Sequence, residues 1–182
     1  MTFADKPTLI GSKVRLRPIV ASDAASIWRA LDDPEATRLT GTHATFTIEQ
    51  IERWAATRAE QDDRLDLAVV DVITGDWAGE VVINNWDVEN RSCSFRISLD
   101  AGFRNRGFGT EATRLIVDYV FTSLPIHRFA LEVFAFNPRA IATYEKVGFS
   151  REGVMRDALR WDGAFHDTIM MSVLRPEWSS NR

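Results

Sequence analysis

The chain has 182 residues, 45% hydrophobic and 26% charged, which suits one globular domain with a sizeable core and is too apolar for a disordered segment. A formal net charge of -4, from 22 Lys and Arg against 26 Asp and Glu, gives no global pull toward nucleic acid and mildly favours cationic acceptors such as amines. No run approaches the ~20 apolar residues of a membrane helix, and the N-terminus lacks the basic-then-apolar layout of a signal peptide, so a cytoplasmic protein without membrane or nucleic-acid partners is expected.

In chain order, "KVRLRPIV" (13 to 20) predicts a first strand ended by Pro18. Asp23 is placed to cap a helix in which Ala24, Ile27, Trp28 and Leu31 recur at helical spacing until "DDPE" stops it. "TRLTGTHATF" reads as a loop around Gly41. Thr47 and Gln50 then form a capping box for a second helix with Ile48, Ile51 and Trp54 on one face. From Leu65 the apolar period shortens to two or runs on, and "LDLAVVDV", "WAGEVVINNW" and "SCSFRISL" predict a meander of three antiparallel strands.

Ala112, Leu115, Ile116, Tyr119 and Val120 mark an amphipathic helix, followed by the apolar strand "RFALEVFAF". In "NPRAIATYEKVGF", Asn137 is the N-cap, Pro138 the first helical residue and Gly148 the stop. Two final strands flank the "WDGAF" turn. The order describes an α/β (α+β) single domain, a mixed sheet with helices packed on it, and the strand 94 to 99, helix, strand 128 to 136 unit is its parallel crossover. Ligands in open α/β sheets bind at the carboxyl ends of such strands.

At that end stands "FRNRGFGTEA". Gly107 and Gly109 leave the backbone N–H groups of 105 to 110 free to face an anion, the following helix adds its positive dipole end, and Arg104 and Arg106 add charge. A Walker loop is excluded, because no Lys follows the second glycine, and a dinucleotide fingerprint is excluded by its place in the chain.

"RNRGFGTEA" resembles the (Q/R)xxGx(G/A) acetyl-CoA loop of the GNAT superfamily of N-acetyltransferases, with Arg104, Gly107 and Gly109 at the signature positions. "NPRAIATYEKVGFSREG" resembles the superfamily's second cofactor segment, and "DGAFHDTIMMSVLRPEW" is similar to its ribosomal-protein (RimJ/RimL-like) branch. The resemblance implies a mostly antiparallel sheet of six to seven strands, about four flanking helices, and a central parallel pair that splays around the pantetheine arm of acetyl-CoA. Phe95, Ile97, Ser98 and Leu99 then border the cofactor, and Arg104, Asn105, Arg106, Gly107, Phe108, Gly109 and Thr110 take its pyrophosphate.

The resemblance also implies that Asn137 contacts the cofactor and that Tyr144 is the general acid protonating the leaving thiolate, a role that suits an O–H of pKa about 10. Many RimJ/RimL-like members carry Ser at the position of Ala140 and Leu at that of Tyr144, so this chain sides with the tyrosine-acid members. Glu80 is the first candidate for the base and Glu132 the second. His43, Asn85 and Trp86 are candidates for the acceptor side. The implied acceptor is a primary amine, on a small molecule or a protein N-terminus, and a homodimer is expected. Another acyl-CoA such as succinyl-CoA would need a cation in the acyl pocket, and a non-catalytic CoA-binding domain is the alternative of another class. Cys93 reads as a core hydrophobe; a single cysteine and three scattered histidines give no metal site.

Overall fold

Alternation of side chains decides which face of the sheet each helix covers. The protein's structure, a computed structural model, describes residues 3 to 180. Its eight strands are β1 (Leu9–Ile10), β2 (Val14–Pro18), β3 (Leu65–Asp71), β4 (Trp77–Asp87), β5 (Ser92–Leu99), β6 (Arg128–Phe134), β7 (Ser150–Trp161) and β8 (Ala164–Leu174). They form one sheet in the order β1-β2-β3-β4-β5-β6-β8-β7. The helices are α1 (Ala24–Leu31), α2 (Pro34–Thr40), α3 (Ile48–Thr57), α4 (Phe108–Ser123), α5 (Pro138–Val147) and α6 (Arg175–Ser180).

On β5, Cys93 and Phe95 are buried under α4 and α5 with Ile83, Leu67, Phe129 and Ile116, while Ser94, Arg96 and Ser98 turn to the opposite face. That opposite face carries α1 and α3, whose Ala24, Ile27, Ile51 and Ala55 pack on Ala68 and Val70 of β3. Each large apolar side chain buried in this way contributes ~1.5–3 kcal/mol. The lone thiol of Cys93 lies in the first core, where burial pushes it up to about 12 and keeps it inert.

The central feature is the β5–β6 pair, the one parallel pairing among the described residues. Ser92, Cys93 and Ser94 pair with Arg128, Phe129 and Ala130, and there the ladder stops although both strands continue. Because Asp100 donates to Ala78 of β4 at 2.9 Å, alternation turns the N–H groups of Ile97 and Leu99 into the gap. Close approach of β4 to this end of β5 requires Gly79: a Cβ there would lie 2.2 Å from the Ser98 carbonyl oxygen.

Several local expectations are corrected. Asp23 does not cap α1 with its side chain. It pairs with Arg17 at 2.7 Å and accepts from Val20 N at 2.9 Å, closing a 3-10 turn ahead of the helix. Part of the predicted threonine loop is α2, capped by Asp33, which accepts from Glu35 N at 2.9 Å, started by Pro34 and ended at Gly41. The strand count among the described residues is eight, and β1 and α6 were not foreseen. Arg175, at the start of α6, donates to the carbonyls of Phe121, Leu124 and Ile126 at 2.6, 2.6 and 2.8 Å, satisfying acceptors left at and after the end of α4. No described helix is long and apolar enough to cross a membrane.

Candidate active site

The loop between β5 and α4 holds its shape through backbone conformations that few side chains tolerate. Asn105 and Gly107 have φ of 61° and 86°, and α4 begins at the next residue, Phe108. Glu111, in the first turn of α4, braces the loop from outside: its carboxylate accepts from Ser12 N and Oγ, Lys13 N and Val14 N at 2.6 to 3.0 Å. Burial pushes that carboxyl's pKa up, but these four donors outweigh it and hold it below its ordinary value. Glu111 was not singled out in the sequence, because its partners are almost a hundred residues away.

A cleft of about 740 Å³ runs from this loop down the β5–β6 gap. Ile97, Ser98 and Leu99 border it along β5, and Arg104, Asn105, Gly107, Gly109 and Thr110 close its upper end. From α5, Asn137 and Tyr144 complete the wall. Asn137 accepts from Ala140 N at 3.1 Å through its Oδ1, which leaves its amide hydrogens for the cleft. Tyr144 is buried, edge-on to Phe95 with ring centroids 6.4 Å apart, and burial raises its hydroxyl pKa so that the proton is retained at neutral pH.

Arg104 reaches the cleft, but its guanidinium is committed elsewhere. It donates to Asp33 at 2.6 Å and Glu35 at 2.8 Å, while its Nε donates to the Leu99 carbonyl at 3.0 Å. Only 9% of the Arg104 side chain is exposed, so this pairing ties α2 to the glycine-loop end of β5 in a partly desolvated setting. Burial pushes the Asp33 carboxyl up, but hydrogen bonds from Arg104 and Glu35 N hold it below its ordinary range. Arg106 and Phe108 lie outside the cleft wall. The Arg106 guanidinium lies over the Phe103 and Phe108 rings at 5.2 Å, and Phe108 is buried.

The acceptor-side candidates divide in the same way. Asn85 lines the cleft, and so does Glu132, exposed on β6. Trp86 instead packs on Phe3 at 4.6 Å between ring centroids. His43 stacks on Trp161 at 4.8 Å and faces a separate hollow of about 260 Å³ beside Trp28 and Phe46. Glu80 stands behind the wall, paired with Ser98 of β5. A little of the residue stays exposed, but its Oε2 is sealed and has no partner among the described residues. Burial, reinforced by Asp66, raises its carboxyl to about 7 against the pull of Arg96 and Arg64. Further polar groups that the sequence did not single out belong to the cleft, among them Arg96, and Asn84, whose Oδ1 is sealed without a partner among the described residues.

The arrangement offers free backbone donors, a helix N-terminus and a protonated phenol along one slot. Comparison with known proteins agrees with it. Residues 13–150 match the family model "Acetyltransferase (GNAT) domain". The SPbeta prophage-derived uncharacterized N-acetyltransferase YokL of Bacillus subtilis (strain 168) is 25% identical over 94% of this chain and 95% of its own. The putative ribosomal N-acetyltransferase YdaF of the same organism is 31% identical over 59% of each chain. The structure of spermidine N-acetyltransferase from Vibrio cholerae, in complex with CoA and spermine, superposes with a TM-score of 0.85 at 22% identity, over 93% of this chain and 99% of that one. The chain belongs to the GNAT family of acetyltransferases, with the fold of that family, and is an acyltransferase enzyme.

Proposed function

We propose that the protein transfers an acetyl group from acetyl-CoA to a primary amine by direct attack within a ternary complex. The observation that carries this is the unpaired β5–β6 gap, which opens beneath the glycine loop and has Tyr144 in its wall. Acetyl-CoA supplies an activated thioester. The residues present fit its parts: the turn at Gly107 and the first N–H groups of α4 suit the pyrophosphate, the free N–H groups of Ile97 and Leu99 suit the amides of the pantetheine arm, and Asn137 has amide hydrogens left to give. Arg104 supports this site by fixing the loop and α2 rather than by pairing with phosphate.

In the reaction, backbone N–H groups near Leu99 stabilise the developing oxyanion, and Tyr144 gives its proton to the departing sulfur. Glu80, held at about 7, is the proposed sink for the amine's proton, reached through water because it stands behind Ser98; Glu132, on the cleft wall, is the alternative. The match to YdaF supports the ribosomal-protein branch, and with it a protein N-terminus as one acceptor class; the spermidine enzyme points to small amines. A homodimer and a cytoplasmic setting belong to the same reading. The exposed edge strand β7, open from 150 to 158, supports the dimer, and light scattering that gives a monomer would remove it.

The test is thiol release from acetyl-CoA with a panel of protein N-terminal peptides, polyamines and amino sugars. Amine-dependent release supports the proposal. Release with succinyl-CoA but not acetyl-CoA would replace the donor, and no release with any amine despite acetyl-CoA binding would leave a CoA-binding domain.

A further inference from the structure

The acceptor face of the cleft carries one cation and one anion that make no salt bridge among the described residues. Arg96 projects from β5 on the face of Ser94 and Ser98, opposite Val82 of β4, and it lines the cleft as an exposed side chain. Extending the parallel register from Ser94 and Ala130 by one further pleat brings Arg96 of β5 level with Glu132 of β6, at the point where the strands have separated. Glu132 is likewise exposed on the cleft wall. Among the described residues neither makes a hydrogen bond or an ion pair. The other two arginines of the wall are engaged with α2: Arg104 with Asp33 and Glu35, and Arg139 with Glu35 at 3.5 Å.

We infer that Arg96 is a carboxylate-binding residue of the acceptor site, and that the acceptor is a small amino acid whose carboxylate pairs with Arg96 while its ammonium is drawn to Glu132. This rests on the acetyl-transfer reading above. Arg96 acts on the buried Glu80 carboxyl only through space and makes no salt bridge with it, so its guanidinium is left to match a planar, bidentate anion from the cleft. A carboxylate facing it across the gap selects an amine on the same molecule. A polyamine, by contrast, would set a second positive charge against Arg96, a like-charge contact that disfavours it. The same carboxylate chemistry could come from the donor, since a dicarboxylic acyl group would also carry an anion to this end of the gap. Glu132 opposite Arg96 favours the acceptor, because a donor carboxylate leaves that anion unanswered.

The experiment measures kcat/KM for thiol release by the full chain with acetyl-CoA and a set of L-amino acids, each beside its own carboxamide, and with spermidine. The acids are expected to exceed their amides by about tenfold or more, and Arg96→Gln is expected to bring that ratio close to one, with Arg96→Lys restoring part of it. Acetyl-CoA titration of each variant reports that it is folded. Amides or spermidine preferred over the acids, or an acid-to-amide ratio that Arg96→Gln does not move, would overturn the inference and leave the transferase reading in place. A preference for succinyl-CoA over acetyl-CoA that Arg96→Gln abolishes would overturn it in favour of the donor. Absence of both acetyl-CoA binding and thiol release would instead overturn the acetyl-transfer reading on which it stands.

Discussion

The two halves of the cleft are built on opposite principles. The α4–α5 half is made of backbone: a left-handed turn at Gly107, a helix start at Phe108, and strand edges left open beyond Ser94 and Ala130. The half beneath α2 is made of side chains drawn from four elements, among them Arg96, Asn84 and Glu132, and backed by Glu80. Backbone groups suit a ligand that never varies, because they offer fixed donors at no side-chain entropy cost. Side chains suit a ligand that differs from one family member to the next. The chain's own specificity is therefore expected in the side-chain half.

The largest effect is expected at Tyr144. Tyr144→Phe is expected to lower kcat by about 10³-fold with the acetyl-CoA dissociation constant unchanged, as loss of a general acid does. Unchanged turnover would reduce the residue to packing against Phe95 and Phe149.

Next in size is Glu80. Its carboxyl is held at about 7 against an ordinary 4.5, so between those values the folded protein keeps a proton that the unfolded chain has released. The associated stability is fully present below pH 4.5 and is lost as pH rises through 7, a loss of order ~3 kcal/mol. Glu80→Gln stays neutral and is expected to remove that loss, which denaturant unfolding at pH 5 and pH 8 would measure. As the base, Glu80 also requires kcat/KM to climb through pH 7 and the variant to flatten the climb; the limb surviving in Glu80→Gln but not in Glu132→Gln would move the role to β6.

On the backbone side, Gly107→Val forces a branched side chain to φ of 86° with its Cβ 3.1 Å from Lys13 Nζ. Strain of about 2 kcal/mol follows, seen as an acetyl-CoA affinity lowered by roughly 30-fold in calorimetry. The smallest effect sharpens the boundary between the halves. Arg104→Gln is expected to cost about 1–2 kcal/mol of stability by leaving Asp33 unmatched, yet to change acetyl-CoA affinity by less than about threefold. A larger affinity loss without a stability loss would return Arg104 to the pyrophosphate.

The same division governs what the sequence made legible. Helix α5 could be read from Asn137, Pro138 and Gly148, and α3 from Thr47 and Gln50, because caps and stops act over three or four residues. The glycine loop was legible for the same reason. Helix α2 was missed although Asp33, Pro34 and Gly41 mark its ends, since seven residues are too few to show an apolar period and Thr37 and Thr40 read as part of the loop. Strand β1 has two residues, and α6 is fixed by Arg175 on carbonyls some fifty residues away. Asp23 was misjudged because Arg17 competes for its carboxylate. In the site, local pattern could not reveal that Arg104 is taken by acids at 33 and 35, that Trp86 turns to Phe3, or that His43 turns to Trp161. These are facts of long-range packing, and the half beneath α2 consists of little else.

The most direct test of the central claim is calorimetric titration of the full chain with acetyl-CoA. One site per chain with a micromolar dissociation constant is expected, weakened in Gly107→Val and retained in Tyr144→Phe. A folded chain that gives no binding heat at millimolar acetyl-CoA, at two temperatures, would contradict it.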